Sequence, residues 1–389
     1  MSRNRAPAIV GIADVVPRKN EEVSYWHQAA ELAMAALHDA GLTVRDVDGV
    51  VFEQSGYAAP FTAFSTDFCQ YLGIVPAWIE TQPHGGAQTG AQLFRAAAGI
   101  WAGYARTVLI VCSDNRKTRF SRSPLVGQLA SQHMHSEFEL PYGPLIPSAF
   151  ALIAQRHMYE YGTTSEEFAQ VAVTARKWSA MNPAATMREP LTIEEVLSSR
   201  IISSPLHLLD ICLVTDGGGA AVVVDGDRAG DFPKQAVSIL GTGDCGESQH
   251  ISFMPDLLHT TMWRRAAETA LHTAGVGLAD IDVAYIYDAA TAEVIWVLEQ
   301  IGFCKPGEAA GFVAEGHTAP GGSFPINTHG GLLAHAHPGS PGGFLGIVEM
   351  VRQLRGECGE RQVPGAELAL TTSAGGMMTV GVNVLGRAR

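Results

Sequence analysis

Ala36-Leu37-His38-Asp39-Ala40-Gly41, followed by Arg45-Asp46-Val47-Asp48 and Gly49-Val50-Val51-Phe52, returns later in the same chain. The second copy is Ala270-Leu271-His272-Thr273-Ala274-Gly275, followed by Ala279-Asp280-Ile281-Asp282 and Val283-Ala284-Tyr285-Ile286. Each copy reads as an alanine-rich amphipathic helix closed by a glycine, which can take the left-handed conformation that ends a helix. A short polar turn and an apolar strand come next.

Working outward, a second pair of blocks repeats. Gly85-Gly86 opens a helix through Leu93-Phe94-Arg95-Ala96-Ala97-Ala98, and the strand Thr107-Val108-Leu109-Ile110-Val111 follows. Gly342-Gly343 opens a helix through Val348-Glu349-Met350-Val351, and Leu368-Ala369-Leu370-Thr371-Thr372 follows. Helix-then-strand units of this kind build sheets covered by helices on both faces. Two sets of them predict two similar α/β halves packed by pseudo-twofold symmetry.

Between the halves, residues of about 115–205 differ in character. This stretch holds Pro124, Pro141, Pro144, Pro147, Pro183, Pro190 and Pro205, with polar helical segments such as Ser165-Glu166-Glu167, which Thr164 or Ser165 can cap. Its apolar residues, among them Phe150, Ile153, Met158 and Tyr161, are too many for a disordered tether. It reads as an insertion over the sheet, a natural place for substrate contacts.

The bulk of the chain narrows the function classes. With 389 residues, 47% hydrophobic and 17% charged, it has ample core-forming material. A net charge of −13 argues against a nucleic-acid groove. Six cysteines, Cys69, Cys112, Cys212, Cys245, Cys304 and Cys358, show neither zinc nor redox spacing, which predicts free thiols in a reducing compartment. The apolar run after Arg5 is short and reads as a first strand, not a secretion signal. No stretch approaches the ~18 uninterrupted apolar residues of a membrane span. The expectation is a cytoplasmic protein without membrane or nucleic-acid partners.

Four blocks then carry a resemblance. They are Asp210 through Asp216-Gly217-Gly218-Gly219-Ala220, Asn327-Thr328-His329-Gly330-Gly331, His337-Pro338, and Arg352-Gln353-Leu354-Arg355-Gly356-Glu357. In order and spacing the chain resembles the thiolase superfamily over essentially its whole length, specifically the sterol-carrier or lipid-transfer branch. The resemblance implies an α/β thiolase fold of two βαβαβαββ halves, residues 1–235 and 236–389, with the loop domain inserted in the first half. It also implies four chemical positions. The nucleophilic cysteine at the start of a buried helix falls on Ala87 in His84-Gly85-Gly86-Ala87-Gln88-Thr89-Gly90. The Asn or His of the oxyanion hole falls on Tyr287 in Tyr287-Asp288-Ala289-Ala290-Thr291. The activating histidine is kept as His337. The second, acid/base cysteine is replaced by Thr372 or Ser373, in Thr371-Thr372-Ser373-Ala374-Gly375-Gly376-Met377.

A thiolase pocket without its cysteines can still hold an acyl-CoA thioester and stabilise an enolate. The expected chemistry is therefore retro-aldol cleavage of a β-hydroxyacyl-CoA, with Tyr287 and His337 as the acid/base pair. His84, Gly86, Ala87, Asn327, His335, Thr372, Ser373 and Gly375 are expected to line the pocket. An acyltransferase and a non-catalytic lipid or acyl-CoA carrier are the alternatives. No cofactor is expected to stay bound; the coenzyme A thioester is substrate. His335 and His337 lack the acidic or thiol neighbours of a metal site. His133 and His135 are expected at the surface, and Asp210 and Asp216 are expected to fix loops. By the same resemblance the chain is expected to form a homodimer, pairing through a sheet edge near Val108 to Cys112. A small zinc-ribbon/OB-fold companion resembling that of the side-chain-cleaving steroid aldolases is expected to help hold the CoA ester.

Overall fold

The two copies fold alike. The computed structural model describes residues 6–14, 23–53, 64–82, 85–119, 127, 130–131, 133–248, 250–376 and 379–388. The first part of the chain forms β1 (Ala8–Asp14), α1 (Tyr25–Asp39), β2 (Gly49–Glu53), α2 (Phe64–Leu72), β3 (Trp78–Gln82), α3 (Gln88–Trp101), β4 (Thr107–Asp114) and the short α4 (Arg116–Arg119). The inserted region carries α5 (Ile146–Tyr161), α6 (Ser165–Ala180), α7 (Ile193–Ser198), β5 (Ile201–Ser203) and β6 (Leu206–His207). Then come β7 (Gly217–Val224), β8 (Val237–Gly246), α8 (Met262–Ala274), β9 (Val283–Tyr285), α9 (Thr291–Ile301) and α10 (Ala309–Ala314). The chain closes with α11 (Gly331–Ala334), α12 (Gly342–Arg355), β10 (Leu368–Gly375) and β11 (Thr379–Arg387).

The repeated residues do the same work twice. Gly41 follows α1 at φ +70° and Gly275 follows α8 at φ +67°, the left-handed conformation read from the sequence. In the turn that follows, Asp46 accepts the Thr43 N–H at 2.8 Å and Asp280 accepts the Gly277 N–H at 2.8 Å. Asp48 accepts the N–H groups of Arg106 and Thr107 at 2.9 and 2.7 Å, which pins the start of β4 beside β2. Asp282 accepts those of Glu367 and Leu368, both at 2.9 Å, which pins β10 beside β9.

Nine strands join in the order β3-β2-β4-β7-β1-β8-β11-β10-β9. The order is a mirror about β1 and β8, which share only the pairs Ala8–Ser238 and Ile9–Val237. The place of β3 is taken in the other arm by residues 325–327. There the Ala284 N–H donates to the Pro325 carbonyl at 3.1 Å and the Asn327 N–H to the Ala284 carbonyl at 3.0 Å. The arms fold into layers. α1 lies outside β1, β4 and β7; α8 lies outside β8 and β11; α3 and α12 pack between the arms against strands of both. Every residue of β4 and β7 is buried, as strands covered on both faces require.

The insertion is folded as its composition predicts. Thr164 caps α6, accepting the Glu167 N–H at 3.3 Å. Phe150, Ile153 and Phe168 are buried in the main core, and α5 and α6 pack on α9.

One expectation is corrected. The strand Val108–Cys112 is not a sheet edge, because β4 pairs with β2 on one side and β7 on the other. Its apolar character reflects burial on both faces. The free edge of that arm is β3, which pairs only with β2 among the described strands.

Candidate active site

β9 ends just before Tyr287, and the next turn is held from several directions. The Tyr287 N–H donates to Thr372 Oγ1 at 2.7 Å, and Thr372 donates to the Tyr285 carbonyl at 3.2 Å. Asn327, at φ +51°, uses its side chain as a strand would: Oδ1 accepts the Ile286 N–H and Nδ2 donates to the Ile286 carbonyl, both at 2.8 Å. Asp288 accepts the Leu332 N–H at 2.8 Å at the start of α11. With its backbone so fixed, the Tyr287 hydroxyl reaches His337 Nε2 at 3.4 Å, the rings standing at 86°. His337 Nδ1 lies 2.9 Å from Cys212 Sγ.

The phenol also sits at the mouth of α3. A Cβ built on Gly86 would lie 3.0 Å from the Tyr287 hydroxyl and 2.0 Å from the Ala374 carbonyl oxygen, so only glycine fits. Gly85–Ala87 form a 3-10 turn leading into α3. Ala87 is buried and offers a methyl group at the helix entrance. The Ser373 hydroxyl donates to the Ala87 carbonyl at 3.3 Å, which ties β10 to the same turn. Gly375 continues β10 opposite Thr379, its Cα 3.5 Å from where a Gly85 Cβ would be. The helix N-terminus leaves backbone N–H groups without intrahelical partners and favours negative charge nearby.

Burial favours the neutral form of both Tyr287 and His337. Burial, reinforced by Glu293 and Cys212, pushes the Tyr287 phenol well above its ordinary value, while Arg116 works against it. Burial and then the Arg116 charge push the His337 imidazole down. Burial raises the Cys212 thiol to about 12 and the Asp288 carboxyl to about 8. Arg116 itself is buried beside Asp114, Nε to Oδ2 at 3.7 Å, and lies over Gly339, where a Cβ would be 1.2 Å from its guanidinium. The pair therefore rests as neutral phenol and neutral imidazole at the edge of a fixed positive charge.

Comparison with known proteins identifies the family. Residues 243–387 match the family described as Thiolase C-terminal domain-like. The 17-hydroxy-3-oxo-4-pregnene-20-carboxyl-CoA lyase of Mycobacterium tuberculosis is 35% identical over 96% of this chain and 98% of its own length. The steroid side-chain-cleaving aldolase of Thermomonospora curvata is 34% identical over 99% of this chain and 98% of its own. The chain belongs to the thiolase superfamily. Its relatives there include these aldolases, and a solved structure described as "Ltp2-ChsH2(DUF35) aldolase" superposes with a TM-score of 0.88 at 32% identity, covering 99% and 98% of the two chains. In this thiolase-fold protein Ala87 stands at the entrance of α3, with the Tyr287 hydroxyl close to the neighbouring Gly86.

The structure brings Tyr287, His337, Gly86 and Ala87 together, with Thr372 and Ser373 as backbone braces. His84 lies outside the described residues. His335 is turned to other company: its Nδ1 is 3.3 Å from Asn182 Nδ2 and its ring lies tilted against that of His329, centroids 4.9 Å apart. Both amide groups of Asn327 are engaged with Ile286. His133 and His135 are half-buried, not at the surface; the His133 carbonyl accepts from His250, and His135 packs on Phe138 and Phe253. Asp210 and Asp216 fix loops as expected, bonding Thr291 Oγ1 at 2.9 Å and the Thr118 N–H at 3.0 Å. Cys212 and Arg116 were missed as site residues. They come from distant segments; no local motif marks Cys212, and Arg116 is one of the basic run Arg116-Lys117-Thr118-Arg119.

Proposed function

We propose that this protein cleaves a β-hydroxyacyl-CoA by retro-aldol reaction. The observation that carries the reading is the Tyr287 hydroxyl standing over Gly86 at the mouth of α3, 3.4 Å from His337 Nε2, where Ala87 supplies no thiol. The β-hydroxyl of the substrate gives its proton to Tyr287 as Tyr287 passes its own to His337. The bond between the α- and β-carbons breaks, and a ketone and a thioester enolate form. The enolate oxygen is stabilised by the N-terminus of α3 and by Arg116. The proton held on His337 returns through Tyr287 to the α-carbon. One O–H and one C–C bond are lost; one C=O π bond and one C–H bond are gained.

The substrate class follows from the relatives' names: a CoA thioester on a shortened steroid side chain, bearing a tertiary β-hydroxyl. We assign the halves to 1–235 and 236–389 and the compartment to the cytoplasm, supported by six free cysteines. Among the described residues no helix is long and apolar enough to cross a membrane. A homodimer through the β3 edge and a zinc-ribbon/OB-fold companion complete the proposed assembly; a companion is supported by the second component, ChsH2(DUF35), in the description of the aldolase structure.

The test uses 17-hydroxy-3-oxo-4-pregnene-20-carboxyl-CoA, with and without a companion protein, beside a 3-ketoacyl-CoA plus free CoA. Ketone and shortened acyl-CoA are expected from the first and no thiolysis from the second. Tyr287→Phe should lower kcat by ~10²–10⁴-fold with little change in Tm. His337→Ala should be comparably severe, and the double variant far less than additive. Thiolysis without cleavage, or full activity in Tyr287→Phe, rules the lyase reading out.

A further inference from the structure

Cys212 has no place in the proton path above, yet its thiol touches the histidine that does. The loop carrying it binds both halves of the Tyr287–His337 pair. The Cys212 N–H donates to the Ala289 carbonyl at 3.0 Å, and Ile211 bridges Ala290, both just beyond Tyr287. The Leu213 N–H donates to the Leu332 carbonyl at 3.0 Å, and the Thr215 N–H to the His337 carbonyl at 3.1 Å. The loop is anchored at its start, where Asp210 accepts the Thr291 hydroxyl at 2.9 Å and the His207 N–H at 2.8 Å. One short segment thus fixes the spacing between the strand end that carries Tyr287 and the loop that carries His337.

At the centre of this clamp, Sγ lies 2.9 Å from His337 Nδ1, while Nε2 of the same ring faces Tyr287 at 3.4 Å. An imidazole held at Nδ1 cannot turn about its χ angles without giving up that contact. For Nε2 to take up the Tyr287 proton, Nδ1 must carry the ring hydrogen and donate it to Sγ, which leaves the lone pair on Nε2. Second partners of this kind set the tautomer and orientation of a working histidine.

We propose that Cys212 is a positioning residue: its thiol holds the His337 ring through Nδ1 so that Nε2 stays aimed at the Tyr287 hydroxyl. The inference rests on the lyase reading for its effect on rate, but not for its effect on the ring. The Cys212 thiol takes no part in bond making and stays unacylated.

The experiment compares Cys212→Ala, which removes the contact, with Cys212→Ser, which restores a small donor and acceptor. The full-length chain is labelled with ¹⁵N-histidine, and His337 is assigned by loss of its signal in His337→Gln. In the wild type, His337 should show a single tautomer, with its hydrogen on Nδ1. In Cys212→Ala it should show a tautomer mixture or exchange broadening, and in Cys212→Ser a single form again. With the pregnene carboxyl-CoA probe, Cys212→Ala should lower kcat by roughly 10- to 100-fold, as loss of an orienting partner does, with KM nearly unchanged and Cys212→Ser recovering most of the rate. If no variant turns the probe over, the NMR result still decides the positioning role and the failure belongs to the lyase reading. An unchanged His337 signal in Cys212→Ala overturns the proposal, whatever happens to Tm. So does an acyl group on Cys212 by intact mass after incubation with the probe, because the thiol would then be a nucleophile. If Cys212→Ala does not fold, the comparison passes to Cys212→Ser and Cys212→Val; a wild-type signal in the latter overturns the proposal equally.

Discussion

Gly86 shows how tightly single residues are specified here. Its missing side chain lets the Ala374 carbonyl and the Tyr287 hydroxyl approach the start of α3, and a methyl group would lie 2.0 Å from the former. Gly86→Ala must push the turn and β10 apart. We expect a loss of roughly 1–3 kcal/mol, as for overpacked cores, with a fall in kcat because the phenol moves with Ala374. Gly311 in α10 has nothing within 4 Å of its Cβ position, so Gly311→Ala should raise Tm slightly and leave kcat alone. Thermal melts and steady-state rates on the two variants check the contrast. At this scale the sequence was partly readable. Tyr287 and His337 stand in motifs whose order marks them. Cys212 does not, since it meets His337 across 125 residues of chain and the contact exists only once the clamp loop has folded. Arg116 lies in a visibly basic run, but a basic run by itself says nothing about which charge turns inward. Asn327 was assigned to the pocket from its motif, whereas its left-handed backbone aims the amide at Ile286.

Elements were easier to read than contacts. The paired turns, the glycine helix ends and the two helices opened by Gly-Gly all appear where the repeat places them, because a period and a cap are local properties. Pairing within the sheet is not local. β4 is largely apolar and β3 mixes Trp78 and Ile79 with Glu80, Thr81 and Gln82, but it is the crossover through α3 that puts β4 inside and β3 outside. The exposed β3 residue Ile79 is 41% accessible, and its neighbours α2 and α3 expose Tyr71 at 51% and Trp101 at 43%. An open edge flanked by apolar side chains invites pairing with a second edge. Ile79→Lys should therefore shift the mass in light scattering from dimer to monomer at micromolar concentration. A wild-type monomer would remove the basis for that dimer.

For the whole molecule the telling measurement is stability against pH. His329 and His335 are buried side by side, and burial, followed by His335 for the first and opposed by Asp14 for the second, lowers them to about 3 and about 4. The unfolded chain takes up these protons near pH ~6.5. The folded state resists until far lower, so each contributes stability above that value that drains away as pH falls towards 4. Neither ring nitrogen of His329 has a hydrogen-bond partner among the described residues. In His329→Phe the contribution should vanish: the two Tm curves should run parallel above about pH 6.5, and below it the wild-type curve should fall more steeply than the variant's. Curves parallel down to pH 4 would mean that His329 is already open to protons. Buried carboxyls such as Asp288 shift stability the other way, which is why the difference between variant and wild type is the quantity to follow. The mirror order of strands has a consequence of its own. Tyr287, His337 and Thr372 come from one arm; Gly86, Arg116 and Cys212 come from the other; and the sheet joins the arms through two residue pairs. The proposed acid/base pair lies wholly in the second arm, but the helix entrance, Arg116 and the Cys212 contact come from the first, so a gene cut near codon 235 should yield two silent fragments. Expressed together, they can regain turnover only if α3 and α12 find each other and rebuild the middle layer, which makes enzymatic rescue a direct assay for docking of the two halves.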